Sequence, residues 1–352
     1  MAIPTLRTCA TPGQPTNGAL VDNITHSLTG LLLSRAGLER LSPRAAWILF
    51  LAANAPDIDV VSAFGGSLNY LHYHRNLTHS LVALPVLPII CVLAVRLISR
   101  KPVNWTGAYV IALIGVASHL VLDLTNVYGI RLLLPFSGRW LRWDITNVID
   151  FWIWGVLFIS MCAPALARLV NAEIGAAGQS RGGARQGFAL FALVFLALYE
   201  GARSVAHARA VATLESRVYA GAAPSRVAAG PGPVSLFEWR GIAETPELVS
   251  IVNVNLLGDF DPATGRNFYK PEPSPAIEAA RRMPVFEEFL RFSQYPFWQV
   301  TPSGEAEGGT RVEAMDLRFG DPHAPAFVAT AIVGANQWVI RAWFQFGRAT
   351  PR

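Results

Sequence analysis

Residues 105–129 read WTGAYVIALIGVASHLVLDLTNVYG. From 105 to 122 the run is apolar, slightly short of the roughly 20 residues that a helix needs to cross a hydrocarbon layer of about 30 Å. It closes on His119 and Asp123, which share one helical face because side chains four apart lie about one turn from each other. The runs at 78–98, 149–170 and 186–206 are long enough to span. Two briefer helical runs, 25–38 and 43–53, precede them and are too short to cross alone. The spacing predicts an α-helical membrane bundle of about four full spans plus two short N-terminal helices.

Composition agrees. Of 352 residues, 52% are hydrophobic and 15% charged, against about a quarter charged in a typical soluble chain. Residues 1–219 hold 17 Lys+Arg and 10 Asp+Glu, whereas 220–352 hold 12 and 14, so the basic excess belongs to the apolar half. That pattern fits positive loops beside a bilayer. With no Lys/Arg cluster interleaved with aromatics, nucleic acid is not an expected partner. The three cysteines, Cys9, Cys91 and Cys162, form neither a disulfide framework nor a thiolate zinc motif.

After a linker-like YAGAAPSRVAAGPGP (219–233) the pattern changes. Alternation in VSLFEW, LVSIVNVNLL, RVEAMDLRF, FVATAIV and QWVIRAWFQF predicts strands, and PAIEAARRMPVFEEFLRF predicts a helix interrupted at Pro284. The expected organisation is a tail (1–22), a transmembrane bundle (23–210), a linker (211–233) and a small α+β C-terminal domain (234–352).

Five of seven histidines, His26, His72, His74, His79 and His119, lie in the first 120 residues although that part is strongly apolar. Ionisable groups at membrane depth are costly and point to function. His26 begins the first helical run, Asp57 and Asp59 follow the second, and His79 opens the next. His119 and Asp123 close the run at 105, and Asp150 opens the one after. An up-and-down bundle therefore brings all of them to one side of the membrane. A thiolate-free His/Asp set suits Zn²⁺ first, with Mn²⁺ or Fe²⁺ as alternatives, and an ion with an open position activates water for hydrolysis. Asp57, His79, Arg75 and Asp150 form the expected catalytic set. Asp150 or Asp144 would orient a histidine, Arg75 or Arg131 would receive an anionic group, and Arg75 could instead pair with Asp57 or Asp59. Each element also has a plainer reading: Asp22 or Thr78 as a helix cap, His72 as an interfacial aromatic, Trp140, Trp143, Trp152 and Trp154 as an interfacial belt.

The ordered motifs DNITHSLTGLLLSRAG, PDID, HRNLTHS and SHLVLDLTNVYGIRLLLPF resemble the YdjM-like family of bacterial inner-membrane proteins, read as metal-dependent hydrolases. The resemblance covers residues 20–165. It implies an integral membrane protein with a divalent metal site at His26, Asp57, Asp59, His74, His79, His119 and Asp123. Asn76 stands where members often have Gly. The C-terminal α+β domain lies outside the shared region.

Nine basic residues fall in one set of loops and six in the other, so the positive-inside rule puts the site and the C-terminal domain on the outer face. The expected function is hydrolysis of an ester or phosphodiester, lipid-linked or lipid itself, at the membrane surface. A transporter or metal carrier using the same residues is one alternative, although no internal repeat is present. A membrane-anchored binding or scaffold protein with a structural metal is the other.

Overall fold

A computed structural model describes residues 22–173 and 181–347. The expected tail, except Asp22, lies outside them. The chain divides into two compact units. One contains Val21–Asp59 and Arg75–Tyr269; the other contains Val60–His74 together with the chain from Lys270 onward.

In the helical unit, Asp22 caps α1 (Asn23–Arg35) by accepting the Thr25 amide at 3.1 Å. α2 (Ala45–Asn54) runs into a 3₁₀ stretch, Pro56–Gly65, where the chain passes into the other unit and forms α3 (Ser67–Tyr73). It returns at Arg75, makes a 3₁₀ turn at Leu77–His79, and continues as α4 (Val86–Ser99), α5 (Trp105–Thr125), α6 (Phe151–Glu173) and α7 (Arg181–Glu215). α5, α6 and α7 are long and apolar enough to cross a membrane; α2 with the bent 3₁₀ stretch makes a fourth candidate.

The segment expected to span from 78 to 98 does not do so as one helix. Its helical part has 14 residues, about 21 Å at 1.5 Å per residue. Pro85 and Pro88 lack amide donors and are tolerated only at a helix start, so the helix begins there. α5, in contrast, continues to Thr125, because its polar end is satisfied by protein partners rather than exposed to lipid.

Small residues bring the inner helices close. A Cβ on Gly115 of α5 would lie 2.8 Å from Ala52 Cβ, and one on Gly30 of α1 would lie 2.7 Å from the Leu49 carbonyl oxygen. These contacts let backbones approach as in small-residue membrane packing. Around them Ile48, Leu49, Ala52, Val92, Ile111 and Val116 form a buried core. α1, α6 and α7 share a second one through Leu32, Ile153, Leu157, Ala192 and Leu196.

The stretch 211–233 is not a free linker. α7 extends to Glu215, and β1 (Arg226–Pro231) forms within the Ala/Gly/Pro-rich segment, whose small side chains conceal the strand alternation. β1 pairs with β2 (Glu238–Glu244), then β3 (Leu248–Asn255) and β4 (Arg266–Tyr269), all antiparallel. Ala210 and Leu214 of α7 pack with Trp239, Val252 and Val254 of this sheet. The expected single domain from 234 to 352 is thus divided: its first sheet belongs to the helical unit.

The second unit holds α8 (Pro275–Arg281) and α9 (Pro284–Phe292), the two pieces of the helix broken at Pro284. A sheet in the order β10-β9-β6-β5 follows: β5 (Pro296–Pro302), β6 (Thr310–Asp316), β9 (Phe327–Val333) and β10 (Val339–Phe346). A two-residue pair, β7 (Gly320–Asp321) and β8 (Ala324–Pro325), interrupts it. Phe286, Phe289 and Phe292 of α9 are buried against Trp298, Phe344 and Phe327. α3, from the N-terminal half of the chain, lies against α9 and β10 in this unit.

Candidate metal centre

Three local structures present the acceptor atoms. The 3₁₀ stretch after α2 places Asp57 and Asp59, the 3₁₀ turn before α4 places His79, and the last turns of α5 place His119 and Asp123. One ligand atom from each of Asp57, His79, His119 and Asp123 falls within 4.8 Å of all the others, and all four residues are buried.

The distances are informative. His79 Nε2 stands 3.1 Å from His119 Nε2, 3.2 Å from Asp123 Oδ2 and 3.4 Å from Asp57 Oδ1. His119 Nε2 is 3.3 Å from Asp123 Oδ2 and 3.6 Å from Asp57 Oδ1. Atoms bound at about 2.0–2.2 Å to one tetrahedral ion are separated by about 3.3–3.6 Å, which these edges match within a few tenths of an ångström. Among the described residues, both Asp57 oxygens and Asp123 Oδ2 are buried without a hydrogen-bond donor, a costly arrangement unless a cation is supplied.

Charge leads to the same conclusion. Asp57, Asp59 and Asp123 against the single guanidinium of Arg75 leave the buried group with the negative charge that a divalent cation balances.

Outer partners aim the imidazoles. The His119 Nδ1–H donates to the Ala53 carbonyl at 2.7 Å, which leaves the Nε2 lone pair facing the centre. Gly115, one turn before His119, is what lets α2 come near enough for that bond. Asp59 stands behind His79: its Oδ2 lies 3.2 Å from His79 Nδ1 and accepts the Arg75 amide at 2.8 Å and the Thr78 hydroxyl at 2.9 Å. Arg75, in the left-handed region at φ 56°, gives Nη2 to Asp123 Oδ1 at 2.8 Å and Nη1 to Asn126 Oδ1 at 3.0 Å.

A family described as YdjM inner membrane protein matches residues 21–210. The chain belongs to the YdjM inner membrane protein family. A YfhP C-terminal alpha/beta plait domain matches 275–346. The uncharacterized protein YfhP of Bacillus subtilis (strain 168) is 29% identical over 140 residues, 37% of this chain and 42% of YfhP. Inner membrane protein YbcI of Escherichia coli (strain K12) is 30% identical over 134 residues, 36% of this chain and 76% of YbcI. The match thus spans less than half of YfhP's own length. No solved structure gives a significant match.

Within the YdjM region the remaining expected residues take distinct places. His26 stacks on His119 with ring centroids 3.8 Å apart, and its Nε2 is 3.5 Å from Asp123 Oδ1, so it borders the four-atom cluster from the side. His74 falls in the second unit, stacked on Tyr70 at 4.5 Å. Arg75 pairs with Asp123 instead of Asp57 and is only 2% exposed, so its guanidinium is committed inside the protein. Among the described residues Asp150 orients no histidine: Oδ1 caps α6 through the Trp152 and Ile153 amides, and Oδ2 accepts the Tyr199 hydroxyl at 2.9 Å. Asp144 pairs with Arg142. Trp154 is more than a belt residue, since its indole donates to Asp22 and Thr25 at the start of α1.

Asn126 was not anticipated. Its Oδ1 accepts from Arg75 and from the Tyr128 and Gly129 amides, while Nδ2 donates to Asp123 Oδ1 at 3.2 Å. The Asn three residues beyond Asp123, at a helix end before a glycine, is the signal that could have revealed it.

Beside the centre is a polar cleft lined by Asp22, His26, Asp123, Asn126, Asp150 and Glu200, with a volume of ≈ 20 Å³, room for a water molecule. Near the His79 turn, the Leu81 amide donates to the Leu132 carbonyl, and Leu77, Leu81, Val82 and Phe136 there are exposed, Phe136 by 88%.

Proposed function

We propose that this membrane protein is a metal-dependent hydrolase that cleaves an ester or phosphodiester, with a divalent ion held by Asp57, His79, His119 and Asp123. The observation that carries this reading is the convergence of two imidazole nitrogens and two carboxylates at metal-ligand spacing beside a polar cleft. Zinc suits the donor set best, and manganese or iron also fits it. An ion of this kind lowers the pKa of a bound water towards neutrality and so supplies a hydroxide nucleophile. Asp59 and the Ala53 carbonyl orient the two histidines, and Arg75 with Asn126 fixes Asp123. His26, at the border of cleft and cluster, stands where water would enter.

A lipid or lipid-linked substrate is supported by the exposed apolar side chains beside the His79 turn, which would rest in the bilayer interface. Counted with the 78–98 run as a crossing segment, the basic loop residues support an outward-facing site, nine to six.

The test is elemental mass spectrometry on detergent-purified protein, wild type beside His119→Ala and Asp123→Ala. About one equivalent of metal in the wild type, lost in both variants, is expected and opens a screen of phosphodiesters and phospholipids with that ion. A wild type that holds no metal even after reconstitution would end the hydrolase reading.

A second reading has its own observation. Four protein ligands, all buried, resemble a closed structural site. In that case the metal staples the bundle of a membrane-anchored binding protein, and chelation lowers the unfolding temperature while no phosphodiester or ester is turned over.

A further inference from the structure

The excursion between Asp59 and Arg75 connects two parts of the molecule in an unusual way. The chain leaves the helical unit immediately after Asp59, contributes α3 to the second unit, and re-enters at Arg75. Both ends of the excursion are partners of the metal centre. Asp59 braces His79 and lies two residues after Asp57; Arg75 holds Asp123 and lies four residues before His79. The ends are also tied to one another by the bond from the Arg75 amide to Asp59.

α3 is held firmly where it is inserted. Tyr70 and Leu71 are 4% and 1% exposed. The Tyr70 ring meets Phe346 of β10 edge-on at 5.8 Å, and Phe346 in turn packs on Phe327 and Phe344 of the domain core. His72 Nδ1 lies 2.8 Å from Glu288 Oε2 of α9, which Arg291 also engages. The α/β domain thus contains a helix that is not its own in sequence, only one residue from the returning Arg75.

We propose that the C-terminal α/β domain acts as a clamp on the metal centre: by fixing α3 through Tyr70 and the His72–Glu288 pair, it sets the positions of Asp57 and His79. Tyr70 and Glu288 are therefore positioning residues, remote from the ion itself. The proposal rests on the metal reading above and gives the domain a task within it. Since loss of an outer-shell partner typically weakens metal binding 10–100-fold, releasing α3, which carries two such partners at its ends, should be felt on that scale.

The experiment loads full-length protein in detergent with Zn²⁺ and follows its release to a chromogenic chelator. Tyr70→Ala and Glu288→Ala should release the ion at least about tenfold faster than the wild type, and Tyr70→Phe, which keeps the ring, should release it at the wild-type rate. Phe297→Ala is the control. Phe297 alternates with Trp298, the residue that stacks on α9, so its truncation opens the opposite face of the same sheet. Fast release from the two α3-contact variants with a wild-type rate from Phe297→Ala supports the clamp. Wild-type rates in Tyr70→Ala and Glu288→Ala would overturn it, and so would equally fast release from Phe297→Ala, which would indicate general loss of stability. If the wild type itself binds no metal, the metal reading fails first and the clamp falls with it.

Discussion

Replacing Asp59 by Asn separates a residue that binds the ion from one that braces a ligand. Its Oδ2 stands 3.2 Å from His79 Nδ1, while among the described residues Asp57, His79, His119 and Asp123 form the four-atom cluster of the helical unit. Asn keeps the shape and one acceptor oxygen, so the bonds from the Arg75 amide and Thr78 hydroxyl can persist. What disappears is the negative charge behind the imidazole, which makes His79 a better donor towards the ion. Outer-shell changes of this type cost about 10–100-fold in metal affinity, or about 1.4–2.8 kcal/mol at 1.4 kcal/mol per tenfold. Competition with a chelator of known affinity measures this directly, with Asp57→Asn alongside. The expected order is wild type, then Asp59→Asn by one to two decades, then Asp57→Asn weaker still with loss of stoichiometric binding. Equal losses in the two variants would refute the assignment and make Asp59 a direct ligand; no loss in Asp59→Asn would refute the brace.

Three further outcomes follow, one from packing and two from a buried ion pair. Gly115→Ala forces a methyl to within 2.8 Å of Ala52 Cβ, so it should destabilise the protein by about 1–3 kcal/mol and weaken metal binding by drawing Ala53 away from His119; a thermal melt together with the same chelator titration checks both, and an unchanged affinity would show that α2 is not needed to aim His119. In the second unit, Asp316 is fully buried, and burial would raise its pKa, but the pair with Arg318 and the amides of Arg318 and Gln294 hold it below the usual carboxylate range. A depressed folded pKa contributes stability that is present above the unfolded value near 3.8 and is lost as pH falls through the folded value. Near-UV circular dichroism should therefore show this unit loosening in acid below about pH 4, and Asp316→Asn, which strands the buried Arg318 charge, should cost about 3–5 kcal/mol at neutral pH.

Much of the centre was legible because its chemistry uses residues that are improbable in an apolar chain. His119 and Asp123, one turn apart, needed only helical periodicity, and Asp57 and His79 declared themselves as ionisable groups at helix ends. Roles were harder to read than membership. Whether Asp59 or Arg75 touches an ion or supports a neighbour depends on side-chain direction across a turn, which spacing does not encode. Asp150 illustrates the limit: a carboxylate before an apolar run reads equally as a ligand orienter or a cap, and the structure makes it the cap of α6. Backbone groups such as the Ala53 carbonyl left no trace in the sequence, and neither did the gap that Gly115 creates for it. In the C-terminal half, alternation found the strands with large side chains, whereas β1, built from Arg226–Pro231, was hidden by its small ones. That α3 would join a domain beginning about two hundred residues later could not be read from local pattern at all.

That long sequence separation has a consequence for how the protein is made. Tyr70 emerges from the ribosome far ahead of Phe346, its ring partner, and at 5–20 residues per second the delay is on the order of tens of seconds. Throughout that interval the helices that carry His119 and Asp123 can be inserted and packed, while the peptide between Asp59 and Arg75 still lacks its destination. The ligand set is therefore completed in an order opposite to that of its residues: the latest part of the chain to be synthesised fixes one of the earliest.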